Sequence, residues 1–265
     1  MRITPCNNPE ERKCISLFLG CSFTFGVGVE DNETLPALFA EKAPGYLPVN
    51  AAFSGYGLQH VWLQVTDNKF LDKMPYDKGV AIYTFIDHHV DRLLGTPAVL
   101  NGWNHPLPWL NIHNGEIAFR GTFADRDPLQ YFINRYCRRT HLFRFIDNRI
   151  RKPDTAGTVT SEMLDFTTRV IVDAAKRLHE HRPGMQFWVL FFPDTFLADE
   201  IKTRLEGTSV KYLDYTHLFD GCGFTKDQLY YRDSNAVEYC HPKAKAYRLV
   251  AEQLACDMPA CETPN

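Results

Sequence analysis

The sequence predicts an α/β fold, a three-layer α/β/α sandwich with a central parallel sheet, and three observations support this prediction. Short, continuously apolar segments alternate with amphipathic segments of helical spacing along most of the chain. The apolar segments show no in-and-out alternation, which is typical of parallel strands covered on both faces. The chain of 265 residues, 45% of them hydrophobic, is long enough to bury a large core.

The first third of the chain predicts a strand–helix–strand–helix–strand succession. In order, the segments are CISLFLG, ETLPALFAEKAP, YLPVNAAFSGYG, LQHVWLQVTDNKFL and KGVAIYTFID. The helical segments place apolar residues three and four positions apart, whereas the strand segments are short apolar runs. A loop that contains Gly26 and Gly28 joins the first strand to the first helix.

The same alternation resumes near residue 160. In order, the remaining segments are a helix in TSEMLDFTTRVIVDAAKRLHEH, strands in MQFWVLFFPD and SVKYLDYTHLF, and a helix in HPKAKAYRLVAEQLACDM. Thr160 or Ser161 is the expected N-cap of the long helix, because a hydroxyl accepts a hydrogen bond from the first turn. Pro242 is compatible with the first turn of the last helix.

The alternation breaks between about 93 and 155. PWLNIHNGEIAFRGTF predicts two strands joined by Asn114–Gly115, a type I′ hairpin turn. The helical stretch after it is rich in arginine, and forms either a solvated face or a surface that meets an anionic group. Trp103 and Trp109 either stack on a sugar or fill a small local core. We interpret this segment as an insertion, a lid or substrate-binding element, in a single domain that spans 1–265.

Composition and charge exclude several classes of partner. The formal net charge of −3 argues against a general nucleic-acid binder, which is usually basic. No apolar run reaches the roughly 18 residues that a membrane span needs. The N-terminal residues lack the apolar core of a signal peptide, so the sequence predicts a cytoplasmic protein by default, although an exported chain trimmed of its leader would look the same. Oligomeric state has no signature in the sequence.

The eight cysteines include no CxxC pair, so a zinc ribbon or a thioredoxin-like site is not expected. Their scatter over a chain of this length favours free thiols in a reducing compartment over a disulfide scaffold. Cys21 and Cys240 are of interest only because each adjoins a candidate catalytic residue.

Candidate catalytic residues follow the ends of predicted strands, where ligands gather in a parallel sheet. Ser22 follows the first strand, Gly55 the second, and EYCHP places Glu238 three residues before His241. A nucleophilic serine needs a base to accept its proton, and the base needs a partner that holds its tautomer. The sequence therefore predicts a Ser22–His241–Glu238 triad, with the main-chain amides of Ser22 and Gly55 as oxyanion donors. Asp233 is a more distant alternative to Glu238.

GCSFTFGVGV, NAAFSGYG and the late EYCHP together resemble the motifs of the SGNH, or GDSL-like, hydrolases. The resemblance implies a three-layer α/β/α sandwich, cofactor-free ester chemistry, and the roles already given to Ser22, Gly55 and His241. The chain departs from the family pattern at three positions. Cys21 and Glu238 each replace an aspartate, and Asp87 in FIDHHVDR replaces the asparagine that donates to the oxyanion.

An ionised Asp87 facing a developing oxyanion would repel it, at a cost of several kcal/mol. Three arrangements avoid this: Asp87 is protonated, or it turns away and orients His88 or His89 as the donor, or the two amides suffice with a rate about 10²- to 10³-fold lower. The simpler alternative is that Asp87 caps the following segment and both histidines are surface residues.

Two rival sites have weaker support. Gly26–Val–Gly28 is only a fragment of the dinucleotide-binding GxGxxG motif, since Asp31 occupies the third glycine position. His88 and His89, with acidic neighbours, have the right types of side chain for a metal, but adjacent histidines point in different directions. We therefore expect neither a metal nor a cofactor.

These observations predict a serine esterase that hydrolyses a short-chain or O-acetyl ester of a small molecule or carbohydrate. Two alternatives stay open. A sugar hydroxyl in place of water would make the same site a glycan O-acyltransferase, and a relative that kept only the fold would be a non-catalytic carbohydrate- or partner-binding protein.

Overall fold

The computed structural model describes residues 1–102, 106–137, 140–141, 159–232 and 239–261. In chain order the strands are β1 (Cys14–Leu19), β2 (Tyr46–Asn50), β3 (Gly79–Phe85), β4 (Pro108–His113), β5 (Glu116–Thr122), β6 (Met185–Phe191), β7 (Lys211–Asp214), β8 (Tyr230–Arg232) and β9 (Tyr239–Pro242). The α-helices are α1 (Ser22–Phe25), α2 (Leu35–Lys42), α3 (Leu58–Thr66), α4 (Asn68–Leu71), α5 (His88–Leu94), α6 (Pro97–Gly102), α7 (Phe123–Arg126), α8 (Pro128–Arg135), α9 (Ser161–His181), α10 (Ala198–Leu205), α11 (Lys226–Leu229) and α12 (Ala244–Asp257). Two short 3₁₀ helices cover Pro9–Glu11 and Asp31–Glu33.

The predicted fold class is confirmed, because five parallel strands in the order β2-β1-β3-β6-β7 form a central sheet with helices on both faces. One face packs against α3 and α9 through a core that includes Leu58 and Ile171. The other packs against α2 and α12 through Leu35, Phe39 and Tyr247. Burial on both faces explains the continuous apolar runs of the strands.

The strand order reverses beside β1, because the chain moves outward from β1 to β2 and then crosses back to place β3 on the other side of β1. The connections after β1 and β3 therefore leave the sheet in opposite directions and open a crevice at their carboxyl ends. Ligands of doubly wound sheets bind at such a switch point. Ser22 follows β1 and Asp87 follows β3, so both lie at this crevice.

The helix boundaries differ from the prediction at two places. The last helix begins at Ala244 rather than His241, because His241 and Pro242 pair with β8 as part of β9. A residue that precedes proline is steered away from helical angles, which favours this extended conformation. The predicted helix over 58–71 breaks at Asp67, whose side chain accepts a hydrogen bond from the Lys69 N–H at 3.0 Å and starts α4.

The predicted insertion contains the hairpin β4–β5, and both Asn114 and Gly115 adopt the positive φ of a type I′ turn. Leu110 and Ile117 join the core on the α3 and α9 face. Trp109 is half-buried, with the Arg126 guanidinium 5.8 Å from its ring centroid. Trp103 and most of the arginine-rich stretch lie outside the described residues. No helix among those described is long and apolar enough to span a bilayer.

The expectation that every cysteine is a free thiol is wrong for one pair. Cys14 at the start of β1 forms a disulfide with Cys261, with the Cα atoms 6.0 Å apart. The chain end returns to β1 because α12 packs beside α2, and the Tyr46 hydroxyl donates to the Pro259 carbonyl at 2.9 Å. The other six cysteines are free, and all of them are among the described residues.

Removal of this disulfide is expected to lower the free energy of unfolding by about 2–5 kcal/mol, since the bond closes a loop of 247 residues in the unfolded chain. Urea unfolding of the Cys14→Ser/Cys261→Ser variant, and of the wild type with and without dithiothreitol, measures the effect. Cys256→Ser is the control, because Cys256 is exposed and free. Unfolding midpoints that do not respond to either change would show that the bond contributes nothing.

Candidate active site

Ser22 is held at the end of β1 by a tight turn. Gly20 has a φ of 146°, and a Cβ atom there would lie 2.4 Å from the Thr24 hydroxyl oxygen, so only glycine fits. The turn makes Ser22 the first residue of α1, where its N–H has no acceptor within the helix. The side chain is largely covered, with 6% of the residue exposed. Ser22 therefore combines a hydroxyl and an uncommitted helix-start amide at the switch point.

Asn50 connects this turn to the loop that carries Gly55. The Asn50 amide, at the end of β2 and 1% exposed, donates to the carbonyls of Thr24 and Phe25 at 3.1 and 3.3 Å. Its side-chain oxygen accepts from the Ala52 N–H at 3.3 Å. Because one buried side chain bridges both segments, the positions of the two predicted amide donors are coupled.

Gly55 lies in the turn after β2 with a φ of 87°, a conformation that favours glycine. The next residue, Tyr56, stacks on His60 with ring centroids 4.2 Å apart and planes 7° apart. The Tyr56 carbonyl accepts a hydrogen bond from Arg92 Nη1 at 2.7 Å. A side-chain stack and a charged donor thus hold the turn that presents Gly55.

His241 reaches the same edge of the sheet from the β8–β9 ribbon. Its ring lies 5.8 Å, between centroids, from the ring of Phe23, the residue after Ser22. Burial lowers the pKa of His241 below its ordinary value, and the charge of Arg92 lowers it further. No hydrogen bond joins Ser22 to His241 within the described residues. Catalytic hydrogen bonds are often long before substrate binds. The contact that relates His241 to Ser22 in this structure is the packing of the His241 ring on Phe23.

The predicted acid, Glu238, and its alternative, Asp233, lie outside the described residues. The structure therefore supplies no contact for either carboxylate. The pairing of Glu238 with His241 stays a prediction from the EYCHP spacing.

Asp87 acts as a main-chain cap in this structure. One carboxylate oxygen accepts from the Phe196 N–H and the other from the Leu197 N–H, each at 2.9 Å, just before α10. Both carboxylate oxygens are therefore engaged by main-chain N–H groups, and among the described residues Asp87 makes no hydrogen bond to His88 or His89. A carboxylate in this role accepts hydrogen bonds and offers none to an oxyanion.

His88 and His89 have different environments. His88 is exposed at the start of α5 and lines the cleft described below. His89 is fully buried, with its Nδ1 2.8 Å from the Tyr83 hydroxyl. The alternative in which both histidines are surface residues is therefore wrong for His89. Burial holds the pKa of His89 well below its ordinary value, so the ring is neutral.

A cleft of about 580 Å³ opens beside Phe23 and His88. It is lined by Phe23, Ile86, Asp87, His88, Pro193, Asp194, Thr195, Phe196, Lys226, Tyr230 and Cys240. Lys226 Nζ lies 3.2 Å from the Asp194 carboxylate, and Phe196 is 84% exposed. The cleft thus combines an ion pair with an accessible aromatic ring. Ser22 and His241 do not line it, but their sequence neighbours Phe23 and Cys240 do.

The rival sites gain no support. Arg2 donates to the carbonyls of Phe25 and Val29 at 2.8 and 2.7 Å, so the glycine loop is packed around a cation and presents carbonyls to it. A phosphate cradle would instead direct amides inward. In the described ranges, no three His, Cys, Asp or Glu side chains come together in a group that would hold a metal ion.

Three residues of the site were missed in the sequence analysis: Arg92, Asp194 and Lys226. Arg92 is only 7% exposed although it is charged. Val90 and Leu93 of the same short helix are buried as well, and a charge among apolar helix residues was the available signal. Asp194 has a positive φ of 64° after β6, which no sequence pattern indicated.

No protein-family model and no curated protein sequence matches the chain. Solved structures do match it. A member of the lipolytic protein G-D-S-L family from Veillonella parvula DSM 2008 aligns with 92% of this chain and 97% of its own, with a TM-score of 0.52 and 12% identity. A protein assigned to the lipolytic G-D-S-L family in Desulfitobacterium hafniense DCB-2 aligns over 92% and 99%, with a TM-score of 0.50 and 13% identity. The chain therefore has the fold of the SGNH/GDSL-like hydrolases.

Proposed function

We propose that the protein is a serine esterase with Ser22 as nucleophile and His241 as general base. The observation that supports this proposal is the position of Ser22 at the end of β1, beside the switch point of the sheet, with the His241 ring packed on Phe23, the residue after Ser22. Resemblance of the fold to G-D-S-L lipolytic proteins supports ester chemistry but selects no substrate.

The proposed reaction has two halves. Ser22 Oγ attacks the ester carbonyl while His241 accepts its proton, and the amides of Ser22 and Gly55 donate to the oxyanion. Collapse of the tetrahedral intermediate breaks the ester C–O bond, and His241 returns the proton to the departing alcohol. Water, deprotonated by His241, then attacks the acyl-enzyme. The bond between the acyl carbon and Ser22 Oγ breaks, the acid leaves, and His241 returns the proton to Ser22 Oγ. Glu238 is proposed to accept the other ring N–H of His241.

The cleft favours a polar alcohol, such as a sugar, with a short acyl group. The Asp194–Lys226 pair supplies hydrogen-bond acceptors and donors for hydroxyl groups, and the exposed Phe196 ring offers an apolar face for a pyranose. A long acyl chain would instead require an extended apolar lining, whereas charged and polar groups interrupt this one.

The acyltransferase alternative uses the same acyl-enzyme, and only the acceptor differs. A sugar hydroxyl held in the cleft would compete with water for the acyl group. The non-catalytic alternative keeps the cleft without turnover. The acyltransferase has no observation in its favour that the esterase lacks, whereas the replacement of the oxyanion asparagine by Asp87 favours the non-catalytic alternative.

Hydrolysis of p-nitrophenyl acetate, butyrate and octanoate, and of an acetylated methyl glucoside, tests the proposal. We expect kcat/KM to fall with chain length, since the polar groups of the cleft disfavour a long acyl chain. For the acetylated glucoside, Phe196→Ala is expected to raise KM roughly 5- to 10-fold with little change in kcat, because the ring contributes to binding.

Tyr212→Ala is the matched control, because Tyr212 is an exposed aromatic residue on β7 that does not line the cleft. A wild type inert on every ester would refute the esterase proposal. Equal KM values for wild type and Phe196→Ala on the glucoside, with p-nitrophenyl acetate hydrolysed, would refute only the sugar subsite.

A further inference from the structure

The proposed oxyanion hole lacks the asparagine donor that the resemblance to the SGNH hydrolases implies. Asp87 occupies that place in the sequence, and both its carboxylate oxygens are engaged by main-chain N–H groups of Phe196 and Leu197. Only the two amides of Ser22 and Gly55 are then left as donors from the three sequence blocks. A tetrahedral intermediate with two donors lacks the stabilisation that a third contributes.

Arg92 lies five residues after Asp87, on α5, and points its guanidinium toward the Gly55 turn. Nη1 donates to the Tyr56 carbonyl at 2.7 Å, and the residue is 93% buried since its exposed fraction is 7%. The Arg92 main-chain carbonyl accepts from Gln59 Nε2 at 2.9 Å, so α3 fixes the backbone of α5 at this point. The side chain of Arg92 is therefore bonded to the Gly55 turn, and its main chain is bonded to α3.

Close packing around the Gly55 turn restricts the conformation of the Arg92 side chain. A Cβ atom on Gly57 would lie 2.9 Å from Arg92 Cβ, so the chain passes directly over the arginine stem. An arginine is always charged at physiological pH, and a buried charge is screened far less than a surface one. Its field therefore extends into the switch-point crevice, and it lowers the pKa values of His241 and His89.

We propose that Arg92 is a positioning residue of the oxyanion hole: it fixes the Tyr56 carbonyl, and with it the Gly55 turn, and it supplies permanent positive charge in place of the missing neutral donor. This inference rests on the proposed function. It has a cost, because the charge that favours the oxyanion disfavours the imidazolium form of His241. The benefit arises at the oxyanion side, because the guanidinium is bonded to the turn that carries the Gly55 donor.

Other titratable groups near the site also contribute to the electrostatic potential there. They are Cys21 after β1, His60 on α3, Tyr83 on β3, His88 and His89 on α5, and Asp194, Lys226, Asp227, Arg232 and Lys243 around α11 and the β8–β9 ribbon. The Lys226 and Arg232 charges are paired with Asp194 and Asp227. Glu238 lies outside the described residues.

The test compares Arg92→Met, Arg92→Lys and the wild type by two readouts. The first is the pKa of His241 from an NMR titration of its ring, which needs no turnover. We expect this pKa to be higher in Arg92→Met than in the wild type, and to stay low in Arg92→Lys. The second is the pH profile of kcat/KM on p-nitrophenyl acetate, where Arg92→Met is expected to lose about 10- to 10²-fold, mostly in kcat, and Arg92→Lys to recover part of it.

Arg12→Met is the matched control, because Arg12 is an equally buried arginine, 3% exposed, that donates to the Ala40 carbonyl before the opposite end of β1. It is expected to lower stability without changing either readout. An unchanged His241 pKa in Arg92→Met would overturn the electrostatic proposal. A loss of kcat/KM equal to that of Arg12→Met would overturn the positioning role. If the wild type hydrolyses no ester, the proposed function fails and the oxyanion role of Arg92 fails with it, whereas ester hydrolysis by the wild type with unchanged readouts in Arg92→Met overturns the Arg92 proposal alone.

Discussion

Ser22→Ala is expected to lower kcat/KM on p-nitrophenyl acetate by about 10⁴- to 10⁶-fold, the largest effect of any single substitution. The variant keeps the main-chain amides of the oxyanion hole but has no oxygen to form the acyl-enzyme. Residual hydrolysis above the uncatalysed rate reflects substrate binding and those amides alone. Steady-state rates at pH 7.5, measured at matched protein concentrations, provide the comparison.

Folding must be unaffected for this result to be informative. Ser22 is the first residue of α1 and donates no side-chain hydrogen bond to another described residue, so its loss is expected to leave the urea midpoint within error of the wild type. Ser209→Ala is the control, because Ser209 is exposed in the loop before β7, at the other end of the sheet. Activity in Ser22→Ala within tenfold of the wild type would mean that another group is the nucleophile.

His241→Gln is expected to lower kcat/KM by about 10⁴-fold, because glutamine keeps hydrogen-bonding groups but accepts no proton at neutral pH. The wild-type activity is expected to fall as the pH is lowered through the pKa of His241. The base works only as neutral imidazole, and burial together with Arg92 lowers the pKa of His241, so the wild-type acid limb is expected to have its midpoint below 6.5. The residual activity of His241→Gln should lack that limb.

His217→Gln is the control for this substitution. His217 is 85% exposed at its side chain and bonded to Asp220 at 2.9 Å, outside the cleft. Its replacement is expected to change neither kcat/KM nor the pH profile. A wild-type profile with an acid midpoint above 7 would contradict the environment assigned to His241, even if His241→Gln were inactive.

The fold was predictable from the sequence where burial alone determines the pattern. Leu17, Ile82 and Val189 are all 0% exposed in the middle of their strands, so each strand appears as a predominantly apolar run. The Asn114–Gly115 turn was predictable because its positive φ values require those residue types. In both cases the signal is local and needs no knowledge of distant contacts.

Long-range contacts explain what the sequence did not predict. The Asp87 carboxylate caps main-chain groups 109 and 110 residues away, and β8 pairs with β9 over only a few residues. The Cys14–Cys261 bond depends on where α12 ends beside β1. The burial of Arg92 depends on α3 and the Gly55 turn, and the sequence does not show that these two elements cover it.

The central claim, that Ser22 is an activated nucleophile, is tested most directly by covalent labelling with a fluorophosphonate. Intact mass spectrometry counts the adducts, and peptide mapping locates them. We predict one adduct per chain, on the peptide that contains Ser22, absent from Ser22→Ala and formed much more slowly in His241→Gln. No adduct on Ser22, or a single adduct on another serine while ester hydrolysis persists, would contradict the account.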